Sequence, residues 1–153
     1  MECFGKHQIV ILGGVGCPMC KESKLEIQLR NFLLDNDIDF IAQKRFDWLR
    51  NKYPMSLDFY LPKYNIAIEC QGIQHFKKVR NTFFNEEKVK KTKINDKLKR
   101  KLCEKYGIKI FYYSNLGIEY PYKVYEDLDE LLGEIKEYSY FETMKEVLCE
   151  AKQ

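Results

Sequence analysis

Ser56–Phe76 reads SLDFYLPKYNIAIECQGIQHF, and its pattern decides the fold. Apolar and polar residues alternate on either side of Pro62-Lys63-Tyr64-Asn65, and alternation flanking turn formers marks a β-hairpin. Whether the connection takes two residues or four, Leu61 pairs with Ile66 and Phe59 with Ile68. One face then carries Leu57, Phe59 and Leu61 against Cys70, Ile68 and Ile66, which is a core face. The other face sets Asp58 opposite Glu69, Tyr60 opposite Ala67 and Ser56 opposite Gln71. Like charges directly opposed across a strand pair destabilise it, by under about 1 kcal/mol when solvated and by more when buried. A divalent cation bridging the two carboxylates offsets that most simply, because hard oxygen ligands suit Mg²⁺, Mn²⁺ or Ca²⁺. A wet edge with a Lys or Arg partner is the other explanation. Gly72 closes the second strand and His75 follows, where an imidazole can serve as general base or proton carrier.

Outward from the hairpin, Leu25, Leu29, Phe32 and Leu33 recur at helical spacing and predict an amphipathic helix over Lys21–Asn36. FIAQKRF (Phe40–Phe46) predicts a strand ahead of the hairpin, and IKIFYYS (Ile108–Ser114) one after it. Between them, Thr92–Tyr106 predicts a helix with Ile94, Leu98 and Leu102 inward and Gly107 as its stop. Residues 77–91 are polar and give no pattern. YEDLDELLGEIKEY and FETMKEVLCEA predict two acidic amphipathic helices at the end. The order α-β-β-β-α-β-α-α implies an α/β (mixed α+β) fold with a central mixed sheet flanked by helices. The expected division is a knuckle-like segment over 1–20, a core over 21–118, and acidic helices over 119–153 that pack on that core.

The chain has 153 residues, of which 45% are hydrophobic, which predicts one folded domain rather than disorder. No apolar run approaches the roughly 18–20 residues of a membrane span, and IVILGGVG leads into a Cys pair rather than a cleavage site. An intracellular, cytoplasmic protein with no membrane partner is expected, with its six Cys as thiols or metal ligands. Net charge is only +3, yet thirteen Lys/Arg stand against four acids between Lys77 and Lys109. Ten acids stand against three Lys between Glu119 and Glu150. A basic middle suits a polyanion such as DNA, although Lys-rich helices are also commonly just solvated.

GCPMC places Cys17 and Cys20 at zinc-ligand spacing, with Cys3 and His7 upstream to complete a closed structural Zn²⁺ site. A redox pair is the competing reading, but no βαβ context precedes it.

Asp58 followed by Glu69-x-Gln71 resembles the PD-(D/E)xK, or restriction-endonuclease-like, nuclease signature. LDFYLPKYNIAIECQGIQHF is most similar to the branch holding very-short-patch repair endonucleases and phage homing endonucleases, summarised as an E…D…H…D set. The likeness spans roughly residues 17–115, and a GCPxC segment before the Glu-bearing helix also resembles phage members of that branch. It implies Mg²⁺- or Mn²⁺-dependent hydrolysis of DNA phosphodiesters. By resemblance Glu26 is the helix-borne Glu, Asp58 the metal-binding Asp, His75 the catalytic His and Asp96 the second Asp, which orients His75. Asp58, Glu69 and the Cys70 backbone carbonyl would hold the metal. Lys77, Lys78, Arg80, Lys97, Lys99 and Arg100 would contact the DNA backbone in a salt-dependent, sequence-blind way.

Gln71 departs from the family pattern, which has Lys there. A Gln can position water but cannot neutralise charge on the attacked phosphate. His75 takes over, Lys97 or Lys99 reaches in from the helix, or activity is weak. The alternatives to a nuclease are an inactive nucleic-acid-binding module on the same fold, or an interaction subunit docking through its acidic helices. One hydrolytic centre nicks one strand, so a double-strand cut requires a homodimer or two events.

Overall fold

A computed structural model describes residues 22–72, 85–117 and 119–151, so the predicted zinc ligands Cys3, His7, Cys17 and Cys20, together with His75, Lys77, Lys78 and Arg80, lie outside the described residues. The described chain runs α1 (Lys24–Asp35), β1 (Ile41–Lys44), β2 (Leu57–Leu61), β3 (Ile66–Cys70), α2 (Asn85–Lys105), β4 (Lys109–Tyr113) and α3 (Leu128–Glu150). The fold is mixed α+β, with a four-stranded sheet in the order β1-β2-β3-β4. β1, β2 and β3 are antiparallel, whereas β4, reached through α2, lies parallel to β3.

The hairpin takes the register its turn dictates, with Phe59 opposite Ile68 and Leu61 opposite Ile66. Asn65 turns the chain at φ +52, a conformation its short polar side chain tolerates. α1 starts at a capping box in which Ser23 and Glu26 satisfy each other's backbone N–H groups. Gly107, at φ +73, ends α2 as expected.

Apolar side chains fill both faces of the sheet. One cluster joins Phe59, Leu61, Ile66 and Ile68 to Leu29 and Leu33 of α1 and Leu131 and Ile135 of α3. The other holds Ala67, Leu49 and Ile108 with Cys103 of α2. Burial of the Leu, Ile and Phe side chains among these contributes about 1.5–3 kcal/mol each.

Four expectations need correction. Leu57 is fully buried but belongs to the second cluster, not with Phe59 and Leu61; the change of side coincides with a left-handed residue, Gln43, on the neighbouring strand. Ile94 is 60% exposed rather than inward, because α2 turns Cys103 to the sheet and Ile94 lies nine residues, or about two and a half turns, away on the opposite side. The two acidic helices are one continuous α3, since Ser139-Tyr140 holds neither Gly nor Pro to stop it and Thr143 bonds back to the Ser139 carbonyl. Only the first half of α3 enters the core; Tyr140, Phe141, Val147 and Leu148 are exposed. α2 also starts earlier than Thr92, its Glu/Lys-rich first turns being good helix formers.

Candidate active site at the open end of the hairpin

The β2–β3 ladder stops at Phe59–Ile68, and the next two residues are the carboxylates. Each folds back onto the other's strand. Glu69 Oε1 accepts the Asp58 N–H at 3.0 Å, and Asp58 Oδ2 accepts the Cys70 N–H at 2.9 Å. These reciprocal bonds satisfy backbone donors and fix both side chains within the sheet. The backbone donors hold their oxygens, but the charges remain close and Glu69 is buried.

The cation that offsets them is Lys99. From α2 its Nζ reaches Glu69 Oε2 at 2.7 Å, with both side chains largely buried. Lys99 was expected both as a DNA contact and as one of two lysines that could reach the site. It lies one helical turn before Cys103, on the face that α2 turns to the sheet, and its ammonium is paired with Glu69. Burial pushes Glu69 up to about 7, Asp58 adds to this, and Lys99 opposes it. Burial also raises Asp58, against the Cys70 N–H and Lys99 and with help from Glu26. For Lys99, burial favours the neutral amine, but Glu69, Asp58 and Asp96 more than offset it and hold the ammonium above the usual lysine range. Burial, with the surrounding carboxylates, raises the Cys70 thiol far above its ordinary range, so it stays protonated and is no nucleophile.

Glu26 joins the group through a residue that the sequence did not single out. Gln43 Nε2 donates to Glu26 Oε1 at 3.2 Å and to Asp58 Oδ1 at 3.4 Å, while its Oε1 accepts from Ser56 Oγ at 2.9 Å. Gln43 sits inside β1, between the pairs Ala42–Phe59 and Lys44–Leu57, at φ +51. A glutamine there costs on the order of 1–3 kcal/mol, and such strain concentrates at functional sites. The only sequence signal was a polar residue in FIAQKRF opposite Asp58, visible once strand pairing is known.

Gln71 continues β3 along β4, giving its N–H to the Tyr113 carbonyl at 2.8 Å and accepting Ser114 Oγ at 2.8 Å. Its side-chain Oε1 is buried and has no hydrogen-bond partner among the described residues. Gln71, Asp96, Lys97, Arg100 and Tyr122 line a cavity of about 240 Å³. Arg100 stacks on the Tyr122 ring at 4.9 Å. Asp58, Glu69, Glu26, Gln43 and Lys99 therefore form one connected group, with Gln71 and Asp96 meeting at the adjoining cavity.

The donors fit a divalent cation of one kind. Among the described residues no three His, Cys, Asp or Glu side chains stand close enough to cage a metal. Mg²⁺ does not demand a cage, since it keeps several waters and takes one or two carboxylates plus substrate phosphate. Glu26 and Asp58 present two hard oxygens to one point, where the Gln43 amide hydrogens now stand in for positive charge. Every oxygen of Glu26, Asp58 and Glu69 already accepts a bond from the protein, so a cation would enter where the long Gln43 contacts to Glu26 Oε1 and Asp58 Oδ1 give way, and would reach Glu69 only if Lys99 yields it.

No helix among the described residues is long and apolar enough to cross a membrane. No family model matches the chain. A protein of Invertebrate iridescent virus 6, named Uncharacterized protein 307L, is 24% identical over 107 residues. That match covers 70% of this chain and 51% of the viral protein, so the chain is similar to about half the length of that relative.

Proposed function

We propose that the protein is a Mg²⁺- or Mn²⁺-dependent DNA endonuclease with a restriction-endonuclease-like core, hydrolysing phosphodiester bonds at the open end of the β2–β3 hairpin. The observation that carries this reading is the Lys99–Glu69 contact beside Asp58. Gln71 occupies the strand position where charge neutralisation calls for lysine, and Lys99 brings an ammonium to the same carboxylates from α2.

Asp58, with Glu26 and Glu69 beside it, would hold a hydrated divalent cation, which polarises the phosphate and makes water a better nucleophile. Lys99, held as an ammonium by Glu69, Asp58 and Asp96, would face the phosphate and counter the negative charge that builds during attack. Gln43 keeps Glu26 and Asp58 converged. By the resemblance His75, outside the described residues, would carry the proton, with Asp96 as its orienting partner. Lys97 and Arg100, on α2 beside the cavity, contribute backbone affinity that falls with salt.

Nicking of supercoiled plasmid in Mg²⁺ and in Mn²⁺ tests the reading, with Asp58→Ala as control. Wild type should relax the plasmid, and the variant should be slower by roughly 100-fold or more. If both are equally inert but shift DNA in low salt, the chain is a binding module on the same fold. If neither cuts nor shifts DNA, the docking reading replaces both, and the exposed apolar residues of α3 are where a partner would sit.

A further inference from the structure

Three non-glycine residues among those described have positive φ: Asp37, Gln43 and Asn65. Asp37 follows α1 and Asn65 turns the hairpin, and both are residue types that tolerate this conformation. Gln43 is neither in a turn nor of that type. It lies within β1, where a left-handed residue re-aims a side chain out of the strand's alternation.

The re-aimed side chain engages both ends of its amide. Its amide has two N–H groups, and its nitrogen stands 3.2 Å from Glu26 Oε1 and 3.4 Å from Asp58 Oδ1. Its carbonyl accepts the Ser56 hydroxyl at 2.9 Å, which fixes the NH₂ end toward the carboxylates. A neutral amide between two carboxylates is a weak substitute for a cation, and the two long contacts are easily given up.

Resting on the metal-site reading above, we infer that Gln43 is a positioning residue for the divalent cation. It holds Glu26 and Asp58 converged on one point in the metal-free protein and yields that point when the cation arrives. The strained backbone supplies the aim, and Ser56 supplies the orientation of the amide.

Glycine at this position separates that role from a merely structural one. Gly adopts positive φ without strain, so Gln43→Gly should melt at the wild-type temperature or above while losing the side chain. The measurement is Mn²⁺ binding to the full chain without DNA, read as free Mn²⁺ by electron paramagnetic resonance. Wild-type binding is assigned to this site by its loss in Asp58→Ala. Gln43→Gly should bind Mn²⁺ roughly 10–100-fold more weakly, the usual cost of removing a residue that orients metal ligands. Wild-type affinity in Gln43→Gly would overturn the inference and leave the metal site standing. Wild type that binds no Mn²⁺, or binds it equally in Asp58→Ala, overturns the metal-site reading and the inference with it. Should Gln43→Gly not unfold cooperatively, Ser56→Ala releases the amide and reads the same affinity: a several-fold loss supports the role, and no change overturns it.

Discussion

The two ends of one hairpin are built from opposite chemistry. At the closed end Leu61 and Ile66 are fully buried and the ladder is intact. Asn65 there accepts the Tyr60 hydroxyl at 2.9 Å and donates to the Gly107 carbonyl at 2.9 Å. At the open end the ladder gives way to Asp58 and Glu69, held by each other's backbone and by one lysine. The closed end is satisfied at any pH where the protein is folded, because nothing in it titrates near neutrality. The open end is a conflict of a buried and a half-buried carboxylate that persists because the turn and the apolar face already fix the register. Stability made at one end is what lets charge be concentrated at the other.

That contrast breaks most visibly at Lys99. Removing one partner of a buried ion pair strands the other, at about 3–5 kcal/mol. Lys99→Met should lose that much at pH 8, measured by urea denaturation without divalent cations. At pH 5 the loss should shrink to about half, because Glu69 and Asp58 take up protons instead. Ile68→Ala, on the apolar face, should cost about 3 kcal/mol by cavity formation, equally at both pH values. An Ile68→Ala loss that varies with pH would blur the comparison.

Glu69 sharpens it further. A carboxyl that holds its proton more tightly folded than unfolded stabilises the fold below its ordinary range. That contribution is present below 4.5 and is lost as pH rises through about 7. Wild type in EDTA should therefore lose about 2–3 kcal/mol from this group between pH 4 and pH 8, and Glu69→Gln should remove that part of the slope. An unchanged slope in Glu69→Gln would place the titration elsewhere. The smallest effect belongs to the turn: Asn65→Ala, straining positive φ and losing two hydrogen bonds, should cost about 1–2 kcal/mol without altering Mn²⁺ affinity.

The hairpin was legible because period-two alternation and a Pro…Asn turn leave one register. The Asp58–Glu69 opposition followed from that register alone. Lys99 was legible only as one of two lysines, since centring the inward face on Ile94, Leu98 and Leu102 was right for Leu102, which packs on the core, but put exposed Ile94 inward and left Lys99 and Cys103 out. The true phase depends on Cys103 packing beneath the sheet, a tertiary contact that no local pattern in a Lys-rich helix announces. Gln43 was legible only as a polar residue in a predicted strand. Its role comes from a backbone angle and from lying across from Asp58, and neither is written in FIAQKRF. The join between the two acidic segments of α3 was missed because amphipathic periodicity is weak there, while the absence of Gly and Pro is a quieter signal.

The central claim is that Lys99 supplies at this open end the charge that Gln71 cannot. The direct measurement is the single-turnover rate of plasmid nicking in Mg²⁺ at pH 8 by wild type and Lys99→Gln, with folded fraction checked by circular dichroism. Wild type should cut, and folded Lys99→Gln should be slower by roughly 100-fold or more. An inert wild type, or a folded Lys99→Gln that cuts at the wild-type rate, would contradict the account.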